Sequence, residues 1–165
     1  MKSQIKTTKR LQKIAEFVNG EDIDLLINLR KKVFQSLKFL PYNEETKKDE
    51  KKIRWKRTAD EIFKEGYVYE GKACTDIVIA FLGLAKAKGF RTRFVKIYKK
   101  GAVHSIAEIK IKNKWYNYDI ASYKTEPIEG EFTSESSIDG WKLWKKGKDA
   151  WDIGLKEYND IEKIT

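Results

Sequence analysis

The chain is poor in the residues that most often disclose a protein's chemistry. Its 165 residues include one cysteine, Cys74, one histidine, His104, and two prolines, Pro41 and Pro127. A lone cysteine excludes an intramolecular disulfide framework and any multi-cysteine zinc site. A lone histidine excludes a His-rich metal centre. No apolar run approaches the ~18 residues of a membrane-spanning helix. The first ten residues are polar and basic, and no apolar signal-peptide core follows them. A cytoplasmic protein without metal is the expectation. Repeats and Pro/Ser-rich linkers are also missing, and both prolines lie in polar, turn-like stretches that punctuate the chain.

What is present is a capable core and much charge. The chain is 41% hydrophobic and 13% aromatic, enough to fold despite 36% charged residues. We expect a single domain over 1–165, with an N-terminal helical part at 1–54, a core at 55–125 and a C-terminal extension at 126–165 packing on it. The net charge of +10 is uneven. Residues 1–60 and 61–125 each carry net +7, whereas 126–165 carry net −4. A basic body fits nucleic acid, an anionic surface or an acidic substrate. It equally fits a Lys-rich solvated surface, because 29 of the 35 cations are Lys rather than the base-reading Arg.

Hydrophobic spacing sets the element order. Leu11, Ile14, Phe17 and Val18 form a short helical stripe. Leu25, Leu26, Leu29, Val33, Phe34 and Leu37 form a longer one. Residues 44–52 are a charged loop or helix face. Thr58-Ala59-Asp60-Glu61 is a capping box that opens a helix, and Gly66 suits its stop. From Cys74 to Ala87 the chain is apolar nearly all round, the mark of a buried helix. Three strand-like segments follow at 91–98, 103–111 and 115–119. The expected class is α+β, a buried helix followed by an antiparallel sheet.

Cys74 falls at the first turn of the buried helix, after a glycine-containing loop. Free N–H groups and the helix dipole there stabilise a thiolate and can receive an oxyanion. A small buried hydrophobe is the bland alternative. His104 opens the second strand and Asp119 ends the third. Each alone is unremarkable, but together they supply nucleophile, base and orienter. The grouping demands one register. A two-residue turn at Lys112-Asn113 puts Asp119 opposite Ile106, diagonal to His104 on the same face, whereas a turn at Asn113-Lys114 puts it opposite Glu108 and a three-residue turn sends it to the other face.

Around these residues the chain resembles the transglutaminase-like superfamily, the core shared with papain-like cysteine proteases, in its microbial or archaeal form. The likeness rests on Arg57-Thr58-Ala59-Asp60-Glu61-Ile62 through Gly71-Lys72-Ala73-Cys74-Thr75-Asp76, and on the passage from Leu84 to Val95. It continues in His104-Ser105-Ile106-Ala107-Glu108, in Trp115-Tyr116-Asn117-Tyr118-Asp119 and in Ala150-Trp151-Asp152-Ile153-Gly154. The resemblance implies a papain-like fold, with the Cys helix packed on a sheet carrying His and Asp. It implies Cys74 as nucleophile, His104 as base and acid, Asp119 as orienter, and no cofactor. Two positions depart from the family: Ile106, where an aromatic is common, and Ile120, where proline is usual.

The implied chemistry is acyl transfer through a thioester, by hydrolysis or transamidation of a peptide or protein substrate. Trp55 is a candidate oxyanion donor, although core packing is its simpler role. Asp76 is expected to serve the helix dipole. Glu108 is either a salt-bridged residue or a substrate contact, Arg93 a structural one, and Trp141, Trp144 and Trp151 anchors onto the core. The rival reading is a catalytically silent fold acting as a basic binding module for nucleic acid or an acidic protein.

Overall fold

The computed structural model describes residues 2–122, 126–133 and 140–164. Five helices, α1 (Lys9–Glu16), α2 (Asp22–Ser36), α3 (Lys47–Ile53), α4 (Ala59–Glu65) and α5 (Cys74–Ala87), precede most of the sheet. Strands β3 (Arg91–Lys99), β4 (Ala102–Ile111), β5 (Lys114–Tyr118), β6 (Ile128–Glu129) and β7 (Lys142–Gly147) form an antiparallel sheet in the order β6-β5-β4-β3-β7. A short parallel pair, β1 (Lys38–Leu40) and β2 (Tyr67–Tyr69), lies apart from it. Two 3-10 turns, Trp151–Ile153 and Tyr158–Lys163, follow.

Helix α5 is the centre of the molecule. All of Thr75 to Ala85 is buried, and α1, α2 and α4 contact it together with β3 and β4. Its apolar circumference follows from this enclosure. Gly83 permits the closest approach, since a Cβ there would lie 2.6 Å from the Ala59 Cβ. The capping box of α4 is complete, Thr58 and Glu61 each bonding the other's backbone, and Gly66 ends the helix at φ 75°. The N-terminal stripe is narrower than its spacing implies. Leu11 and Ala15 are buried, but Phe17 is 73% exposed because α1 ends before it. The charged stretch at 44–52 contains α3, and Trp144 belongs to a strand, β7, which the sequence reading does not contain.

The sheet is buried on both faces. Phe94, Ala107 and Ile109 join the main core, while Val95, Ile97, Ile106 and Phe132 form a smaller cluster with Trp141 and Leu143. Alternation along the strands separates these two sets. The β4–β5 hairpin turns on Lys112 and Asn113, both at positive φ (47° and 68°), as the tight two-residue turn requires. This fixes Ala107 opposite Tyr118 as the last pair of the ladder, and the same count directs Asp119, which follows, toward the level of Ile106.

Candidate active site

Asp119 and His104 meet as that register dictates: Nε2 of His104 lies 2.7 Å from Oδ1 of Asp119. The other carboxylate oxygen accepts from the Ser122 hydroxyl at 2.6 Å. Arg30, reaching from α2, donates to the carbonyls of Ile120 (2.8 Å) and Ser122 (2.6 Å). The carboxylate is thus oriented from both sides, and the segment carrying it is clamped to a helix about ninety positions earlier. Ile120, at the family's proline position, is fully buried, so packing rather than a ring fixes the chain there. Burial works against the Asp119 charge, but the His104 and Ser122 interactions prevail and hold its pKa below the usual value.

Cys74 is half-buried at the first residue of α5. No side chain caps this helix start, so its first-turn N–H groups are not consumed by a cap. His104 and Ser105, consecutive residues of β4, both act to lower the thiol pKa. Side chains of consecutive strand residues diverge to opposite faces. β4 runs on past the last paired residue of β5, leaving residues 102–106 without a β5 partner. With Nε2 of His104 engaged by Asp119, Nδ1 is its remaining ring nitrogen.

Electrostatics inverts the usual order of the pair. Burial pushes the Cys74 thiol up, yet Lys96, His104 and the Ser105 hydroxyl together bring it down to about 6. Burial pushes His104 down, yet Asp119 and the Cys74 thiolate raise it to about 9. Between these values the stable form is thiolate beside imidazolium, and the two groups titrate as a unit.

Cys74 opens onto a groove of about 480 Å³ whose walls include Trp55, Thr75, Lys96, Tyr98 and Val103. The 3-10 turn at Tyr158–Lys163 contributes Ile161 to it. Among the described residues its cations are Arg54, Lys72, Lys96 and Lys99, and no carboxylate lines it. Trp55 is buried in the core and also lines this groove. Its backbone sits at φ 62°, with its carbonyl held by Gln4 (3.2 Å) and by the Trp151 indole (2.6 Å). Such a strained backbone persists only when neighbours over-determine it.

The remaining candidates are structural. Asp76 is buried against Arg57 at 2.7 Å rather than simply facing the helix dipole. Glu108 is fully buried, accepting from the Phe132 N–H and from Lys146, both at 2.6 Å. Arg93 pairs with Glu131 and stacks 3.8 Å from the Trp115 ring centroid. Trp141 lies beside His104, with ring centroids 5.7 Å apart. Ser122, Arg30 and Lys96 lie outside every motif noted in the sequence, and Arg57 opens one of them without a role following from it. Among the described residues no group of three or more His, Cys, Asp or Glu could hold a metal ion. No helix among them is long and apolar enough to cross a membrane.

A thiol at a helix start, with a His on the neighbouring sheet bonded to an Asp just past a strand end, in an α+β fold, fits a papain-like arrangement. The sequence comparison agrees. Residues 10–120 match the family model of the transglutaminase-like superfamily, and the chain belongs to that superfamily. Among solved structures it is similar to a protein provisionally assigned as a cysteine protease from Cytophaga hutchinsonii, with TM-score 0.61 and 16% identity. That match covers 94% of this chain and 47% of the other, so the chain spans about half the length of the Cytophaga protein. Legionella pneumophila LapG (TM-score 0.49, 14% identity, 92% and 94% covered) and a TGase (0.47, 14%, 81% and 38%) are more distant. No curated protein matches the chain by sequence.

Proposed function

We propose that the protein is a thiol enzyme that transfers acyl groups, with Cys74 as nucleophile, His104 as general base and acid, and Asp119 as orienter. The inverted protonation order carries this reading: a thiol at about 6 next to an imidazole at about 9 is a nucleophile already charged and a proton already placed.

The thiolate attacks an amide or ester carbonyl, and the electron pair moves onto oxygen. First-turn N–H groups of α5 receive that charge, with the Trp55 indole as a second donor. The intermediate collapses and the C–N bond breaks. The imidazolium gives its proton to the leaving amine, and a neutral thioester remains. Water or an amine then attacks, imidazole takes its proton, and the thiolate leaves. Hydrolysis and transamidation differ only in that second nucleophile. The cation-lined groove favours peptide or protein substrates with acidic groups near the reacting carbonyl.

The test is acylation by p-nitrophenyl acetate, followed by mass spectrometry. An acetyl adduct on Cys74, labile to hydroxylamine, is expected. It should vanish in Cys74→Ala and turn over roughly 10²–10⁴-fold more slowly in His104→Ala. A folded protein that forms no Cys74 adduct would overturn the proposal.

A further inference from the structure

Lys96 is 1% exposed in the middle of β3, a placement that a lysine almost never takes without a partner. Among the described residues no carboxylate pairs with it. Its Nζ instead donates to the hydroxyls of Ser105 (2.9 Å) and Thr75 (3.2 Å), which lie 2.8 Å from each other, and sits 4.9 Å from the Trp55 ring centroid. Ser105 is its direct cross-strand neighbour, so both side chains stand on one face of the sheet.

Both hydroxyls lead to the same place. Thr75 follows Cys74 in the chain, Ser105 follows His104, and Lys96, Thr75 and Cys74 line the same groove. Hydroxyl dipoles alone are poor compensation for a buried ammonium, and the oppositely charged group that bears on it is the Cys74 thiolate. The Thr75–Ser105 cradle keeps the ammonium from swinging out, because its two acceptors belong to the helix and the strand that carry Cys74 and His104.

On the reading of Cys74 given above, we infer that Lys96 is a positioning residue: a permanently buried cation, held by Thr75 and Ser105, that supports the Cys74 thiolate independently of His104. The thiolate then rests on two cations from different strands. The charged groups bearing on Lys96 are Cys74 from α5, His104 from β4 through the shared thiolate, and Arg54 from the end of α3, itself paired with Glu50. Burial and Arg54 push Lys96 down and the thiolate holds it up, so ammonium and thiolate sustain each other.

The experiment is the pH dependence of Cys74 alkylation by iodoacetamide in wild type, Lys96→Gln and Lys96→Met. Both variants are neutral, and Thr75 and Ser105 can still bond each other. The midpoint should rise in both, with the rate near pH 6.5 falling about tenfold for each unit of that rise and the high-pH plateau unchanged. His104→Ala should keep a midpoint below that of an ordinary thiol, and His104→Ala with Lys96→Gln should not. Loss of packing alone would leave the midpoint where it was. Variants that fold, by circular dichroism, and keep the wild-type midpoint would overturn the inference.

A second measurement uses the intact sequence. The NMR titration of the Lys96 ε-methylene should move to lower pH once Cys74 is carbamidomethylated, since coupling is reciprocal. An unchanged titration would equally refute the role. The two proposals fail separately. Acylation of Cys74 with an unmoved Lys96 midpoint removes only the lysine. A raised midpoint without any acyl adduct removes only the acyl transfer.

Discussion

The ion pair between Arg57 and Asp76 offers the sharpest test of how the nucleophile's helix is held. Side-chain exposures are 4% and 12%, so solvent screens the pair little. Arg57 also donates to Glu65 and to the Tyr67 carbonyl, both at 3.0 Å, and stacks on the Tyr67 ring. Arg57→Met strands a buried carboxylate in the first turn of α5 and frees a carbonyl, and should cost about 3–5 kcal/mol. Asp76→Asn leaves Arg57 its other partners and should cost less, about 1–3 kcal/mol. Urea denaturation at neutral pH measures both. With a slope of about 1–3 kcal/mol per molar, Arg57→Met moves the midpoint by roughly 1–3 M or more. The double variant should show coupling of about 1 kcal/mol or more. Burial already pushes Asp76 up, so the orphaned acid takes a proton readily and the deficit of Arg57→Met narrows as pH falls. A loss under about 1 kcal/mol for Arg57→Met, or strictly additive singles, would refute this account of the helix start.

Other perturbations follow from single contacts. Gly83→Ala places a Cβ 2.6 Å from that of Ala59 and should lower stability by about 1–3 kcal/mol in thermal unfolding, despite alanine's better helix propensity; a more stable variant would contradict the close packing. The Tyr118 hydroxyl is buried without a hydrogen-bond partner among the described residues, so Tyr118→Phe should lie within about 1 kcal/mol of wild type or above it in the same melts. Asp119 has a lowered pKa, so its stabilisation is present above the usual aspartate value and is lost as pH falls through the lowered one. Asp119→Ala should therefore be less stable than wild type at neutral pH and nearly equal to it in strong acid, and a gap that persists in acid would contradict the assignment. The same variant should lower the His104 pKa in an NMR titration, since the Asp119 hydrogen bond is the largest influence raising it.

The parts of the fold legible in the sequence are those written in local pattern. The apolar circumference of 74–87 announces a buried helix, Thr58 and Glu61 announce a cap, and the His104–Asp119 contact follows by counting from a turn at Lys112-Asn113, one of three placements the sequence allows. Scarcity helped as well, because one cysteine and one histidine leave few ways to build a thiol site. What could not be read depends on partners far apart in the chain. Arg30 acts on a segment ninety residues later, Arg57 on a helix nineteen residues on, and Lys96 on hydroxyls from two elements. Arg30 and Lys96 have no flanking signature, and the capping box that follows Arg57 does not point to its partner Asp76. β7 is not legible locally because Trp144 looks like a loop anchor until β3 is known to pair with the residues on either side of it.

The two-residue turn between β4 and β5 has a consequence for comparing relatives. The His104–Asp119 contact is enforced by chain length as much as by residue identity. One inserted residue in that turn would send the carboxylate to the opposite face while the cysteine, the histidine and the aspartate all remained in the sequence. An insertion or deletion there is thus a silent off-switch in evolution, invisible to any search that scores only the cysteine, the histidine and the aspartate. Sorting superfamily members by the spacing between the two strands, before inspecting their residues, would separate chains able to assemble this pair from chains that only carry its letters.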